Sequence, residues 1–112
     1  MNSERKEAIR KYKERKIRRG IFVIRSTATG RCWVDFSPNL ESPRNMNWSA
    51  LRTGAHRNHD LQAEWTAHGE PNFEFEIVET LDEDITEMAI RDTLKEKRRE
   101  WAAKLAAPTV TP

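Results

Sequence analysis

Few residues of this 112-residue chain could carry chemistry, and they are scattered. His56, His59 and His68 could ligate a metal or move a proton. His56 and His59 stand three apart across a capping position, and no pair has the HxxxH spacing of a zinc protease. The single Cys32 has no CxxC partner, which excludes a disulfide framework and a cysteine-only zinc site. Glu74, Glu76 and Glu79 could pair as acid and base in glycoside chemistry. Their alternation with Phe73, Phe75 and Ile77 reads instead as the solvated side of a half-buried strand. The glycines, at 20, 30, 54 and 69, never cluster, so phosphate-cradling loops and dinucleotide folds are excluded. Trp33, Trp48, Trp65 and Trp101 could stack on unpaired bases. Trp65 and Trp101 read as core from their spacing, whereas Trp33 fits either role.

Charge is the more informative signal. The net charge of +2 hides a split. Residues 1–31 hold 11 of the 20 Lys and Arg but three of the 18 acids, a balance of +8, leaving −6 on residues 32–112. A basic arm on an acidic body fits either a polyanionic partner, with Lys11, Lys13, Arg15, Lys16, Arg18 and Arg19 as the contacting cations, or a solvated helix that complements its own body. No run of apolar residues is long enough for a membrane span. The N-terminus is charged from its fourth residue and lacks a signal-type apolar run, so a cytoplasmic location is the default expectation.

The elements that must position these residues read clearly. Residues 1–19 predict a basic helix that stops at Gly20. Two β-branched and aromatic runs, 21–25 and 31–36, flank the turn Thr27-Ala28-Thr29-Gly30 and predict an antiparallel hairpin. Ser42-Pro43 opens a helix that ends at Gly54, and Asn58 caps another that ends at Gly69. A third strand follows at 73–78. A last helix over 84–106 carries the stripe Ile90, Leu94, Trp101 and Leu105, with acids Asp82, Glu83 and Asp84 at its start. Residues 107–112 show no partner pattern and are expected to be disordered. The sum is one α+β domain over 20–106, a three-stranded antiparallel sheet flanked by helices.

Gly20-Ile21-Phe22, followed by Trp33-Val34-Asp35, resembles the paired signature of the GIY-YIG nucleases. The resemblance runs on through Leu51-Arg52, Gly54, His56, Asn58, Leu61-Gln62, Trp65, Gly69-Glu70 and Phe73 to Phe75-Glu76-Ile77. It covers about residues 20–81 and looks most like the small single-domain bacterial members.

That resemblance implies a nuclease-like domain cutting DNA by metal-dependent phosphodiester hydrolysis, with Mg²⁺ or Mn²⁺ as cofactor; a monomer or weak dimer is the expected state. The family's two tyrosines fall on Phe22 and Trp33, neither of which can act as a base. The second-strand glycine falls on Asp35, and the helical arginine falls beside Pro43, with Arg44 one residue off. The loop histidine matches His56. Glu96 is the choice for the metal glutamate, with Glu87 its competitor and Asp35 a second ligand opposite Glu96. Phe22, Trp33 and Asp35 open the alternative of a catalytically inactive nucleic-acid-binding or protein-interaction module on the same fold.

Overall fold

The computed structural model describes residues 17–112. Most of the basic helix expected over 1–19, including Lys11, Lys13, Arg15 and Lys16, lies outside the described residues. Residues 17–19 are not helical. They are tied to the domain by backbone hydrogen bonds, the Arg18 carbonyl accepting from the Leu40 amide at 2.8 Å and the Arg19 carbonyl from Leu81 at 2.7 Å.

The hairpin forms as its sequence predicts. β1 (Gly20–Ser26) and β2 (Cys32–Ser37) pair antiparallel, with Phe22 opposite Asp35 and Ile24 opposite Trp33. After α1 (Pro43–Arg52) and α2 (His59–His68), β3 (Phe73–Thr80) pairs antiparallel with the far side of β1, giving the order β2-β1-β3. α3 (Glu87–Leu105) closes the domain.

Side chains alternate across a strand, so β1 feeds two cores at once. Phe22 and Ile24 join Trp33, Trp48, Leu51, Leu61, Trp65 and Phe73 under α1 and α2. Ile21, Val23 and Val34 pack on the other face against Trp101, Ala102 and Leu105 of α3. The layers are therefore helix, sheet, helix, with the central strand buried on both faces.

The helix ends differ in how far they follow their signals. Asn58 caps α2 as expected, its Oδ1 accepting from the Leu61 amide at 3.1 Å. Ser42 precedes α1, but its hydroxyl donates to the Asn39 carbonyl at 3.2 Å rather than capping. α3 begins at Glu87, three residues later than its acidic lead predicts. Trp101 is half-buried rather than core, because its indole N–H donates to Glu79 Oε1 at 2.8 Å at the sheet's rim.

Residues 107–112 do not hang free. They run beside the outer edge of β2, where Val34 bridges Thr109 in parallel and Val110 is buried. Their composition offers no periodic pattern, since most of their contacts are made by backbone rather than side chains.

Candidate functional site

Phe22, Trp33 and Asp35 share one sheet face, because Phe22 and Asp35 are cross-strand partners and Trp33 lies two residues before Asp35. The register thus brings together three of the positions that the sequence singled out. Their surroundings are closed. Phe22 stacks on Phe75 with ring centres 5.1 Å apart. Trp33 is fully buried, with the Arg31 guanidinium 4.9 Å above its ring. Its indole N–H finds no acceptor among the described residues.

Asp35 is 4% exposed, and its carboxylate is spoken for. Oδ1 accepts from the Phe36 amide at 2.8 Å and from Arg98 Nη1 at 3.0 Å. Oδ2 accepts from the Thr111 amide at 2.7 Å. Arg98 also lies 4.7 Å over the Phe36 ring, which fixes its fork against the β2 edge. One carboxylate therefore joins the strand, α3 and the C-terminal segment.

The expected partner of Asp35 on α3 was Glu96; the structure puts Arg98 there. Residues two apart on a helix point about 200° apart. Glu96 accordingly faces solvent and pairs with Arg99. Glu87 is exposed in the first turn of α3. Arg44 is exposed on α1, 5.3 Å over the Trp48 ring, and makes no contact with Asp35.

A divalent ion such as Mg²⁺ can be held by one or two carboxylates with waters, or by a cluster of protein ligands converging on one point. Among the described residues no three His, Cys, Asp or Glu side chains converge so. The one buried carboxylate at this corner already accepts three N–H donors. Asp35 is thus engaged within the fold and not free to ligate a metal.

His56 is placed as a strut. The Asn58 amide donates to Nδ1 at 3.0 Å, so the proton sits on Nε2. That nitrogen donates to Asn47 Oδ1 at 2.7 Å, and Asn47 Nδ2 donates in turn to the Pro43 carbonyl at 2.7 Å. Both ring nitrogens are used in tying α1 to the loop before α2. Burial lowers the His56 pKa from its ordinary value. The unfolded chain therefore binds the proton more readily, so this contribution to stability is full above about pH 6.5 and is lost as pH falls below it. Thermal unfolding should show the melting temperature falling from about pH 7 to about pH 5. His56→Gln should flatten that decline. An unchanged slope in the variant would refute the assignment.

Three groups carry weight here that the sequence did not reveal. Arg98 was one cation among several on a charged helix. Asn58 was legible as a cap through its oxygen, but its Nδ2 also donates to the Thr109 and Val110 carbonyls at 3.0 and 3.1 Å. Glu64, 7% exposed, receives the Thr29 hydroxyl at 2.5 Å and faces Arg31 and His68, each at 3.7 Å. The Thr29 hydrogen bond, aided by these cations, holds its carboxyl below the usual glutamate range. For Asn58 the cue was available, since a cap uses one end of the carboxamide and leaves the other to be satisfied.

The fold is shared with a solved nuclease domain. The chain is similar to the solved catalytic domain of the homing endonuclease I-TevI, at 24% identity and a TM-score of 0.68, over 79% of this chain and 88% of that one. A mutant of the same intron-endonuclease domain matches at 23% identity and a TM-score of 0.68, over 80% and 86%. The sheet and helices thus have the GIY-YIG fold that the sequence resembles. No protein-family profile matches the chain, and no curated protein matches it.

Proposed function

We propose that this domain binds nucleic acid, DNA foremost, on a nuclease scaffold that does not cut. The observation that carries the reading is the engagement of Asp35 by Arg98 and the Thr111 amide. Hydrolysis of a phosphodiester needs an activated water and a cation at the developing charge. Phe22 and Trp33 offer no base, and both nitrogens of His56 are bonded within the fold.

Support for a nucleic-acid partner comes from two directions. The first 31 residues carry the +8 balance. The solved domains that share the fold are named as endonucleases, enzymes that act on polynucleotides. In this reading Lys11, Lys13, Arg15, Lys16, Arg18 and Arg19 neutralise phosphates, and the closed corner serves stability.

Two assays on the full chain test it. Supercoiled plasmid with Mg²⁺ or Mn²⁺ should stay uncut, and nicking that Glu96→Ala or Arg44→Ala abolishes would overturn the reading. Duplex DNA should bind with a log-affinity slope against log salt of about −5 if all six cations engage phosphates. Serine at Lys11, Lys13, Arg15 and Lys16 should reduce that slope to about −2. Absence of binding at low salt would remove the nucleic-acid assignment altogether.

A further inference from the structure

The segment after α3 is bound as a β-addition peptide would be. The Val34 amide donates to the Pro108 carbonyl at 3.0 Å, and the Val110 amide returns the bond to the Val34 carbonyl at 2.9 Å. Asn58 Nδ2 takes the Thr109 and Val110 carbonyls, and Asp35 takes the Thr111 amide. The Val110 side chain, 5% exposed, belongs to the core cluster that also holds Trp33 and Trp48. Asn58, Asp35 and the β2 edge therefore form a built groove for an extended segment with one apolar anchor.

The hinge that delivers this segment is strained. Ala106 has φ 49° and ψ 44°, the left-handed conformation, and no other non-glycine described residue has a positive φ. It ends α3 in a Schellman turn, with the Ala107 amide bonded to Ala102 and the Ala106 amide to Ala103. Glycine usually takes this position, because a Cβ there crowds the following carbonyl. Alanine is instead the best helix former. Locally, Ala106 favours one further helical residue before Pro108 ends the helix.

We propose that two copies of this chain exchange their C-terminal segments, each laying residues 108–111 into the other's groove. α3 then continues through Ala106, the hinge strain is relieved, and every groove contact is remade with the partner. The exchange needs no new interface, only a second copy at a concentration that competes with the tethered segment. Nothing in it depends on nucleic-acid binding.

The test pairs a damaged tail with a damaged groove in the full chain. Val110→Asp spoils the anchor and leaves the groove intact. Asn58→Asp keeps the oxygen that caps α2 but removes the Nδ2 donor and sets a carboxylate against two carbonyls. With both variants folded by circular dichroism, sedimentation at millimolar concentration should show a one-to-one heterodimer on mixing and monomers of each alone. Equal self-association of both variants, or no complex on mixing, would overturn the exchange. The native chain supplies a second measurement that needs neither variant to fold. It should dimerise at millimolar concentration, and Ala106→Gly, which removes the strain at both hinges, should weaken that dimer about thirtyfold. A native chain that stays monomeric, or a glycine variant that dimerises as well, would equally refute it.

Discussion

Asp35→Ala is expected to destabilise the domain by about 3 kcal/mol, which lowers the melting temperature by on the order of 10 °C. The carboxylate is 6% exposed and Arg98 26%, so neither charge is well hydrated. Removing one partner leaves the other buried without compensation, and that penalty exceeds the pair's net value. The loss is larger than one ion pair, since the Thr111 and Phe36 amides also lose their acceptor. Arg98 keeps some water, which places the cost at the low end of the range for broken buried pairs. A double-mutant cycle with Arg98→Met separates the pair from the rest. A coupling of at least about 1 kcal/mol is expected, because Arg98→Met removes the stranded cation. Additive losses would show that the two side chains do not act as a pair.

Gly20→Ala should cost about as much, by a steric route. A Cβ at Gly20 would lie 1.9 Å from the Glu79 carbonyl oxygen and 2.8 Å from the Thr80 Cα. Both are backbone atoms, so no rotamer change relieves the clash. β1 and β3 must separate where the register is already irregular, between Ile21 and Phe22. About 3 kcal/mol, or failure to fold, is the expectation from urea unfolding. Gly30→Ala is the informative control. It has φ 78° and nothing within 4 Å of the added carbon, so its cost is conformational alone, about 1 kcal/mol. If Gly20→Ala cost no more than Gly30→Ala, the close approach of β1 to β3 would be wrong.

Neither effect could be derived from composition, although both residues were visible. Gly20 reads as a helix stop in the sequence, and its actual duty is to let a strand approach a neighbour more than fifty residues away. Asp35 reads as a misfit in a phosphate site or as a metal ligand. Its environment is set by Arg98 and Thr111, which are 63 and 76 residues distant. Glu96 reads as the metal glutamate from its Leu94-Lys95-Glu96 context. Rotation about the helix axis decides which side chain reaches β2, and the stripe through Leu94 and Trp101 turns Arg98 toward it.

What the sequence determined by itself is the set of local decisions. Strand runs of β-branched and aromatic residues, the Thr27–Gly30 turn, Pro43 at the start of α1 and Asn58 at the start of α2 all depend on neighbours within a few positions. So do the two apolar faces of β1, which already imply helices on both sides of the sheet. Local steric and hydrogen-bonding rules suffice for these. The tertiary structure alone decided the pairing of Asp35 with Arg98, the use of both ends of Asn58, the neutral His56 strut and the docking of residues 108–111. Each joins elements far apart in the chain, and partner choice there is made by burial. A polar group taken from water accepts whichever donor the packing brings within reach.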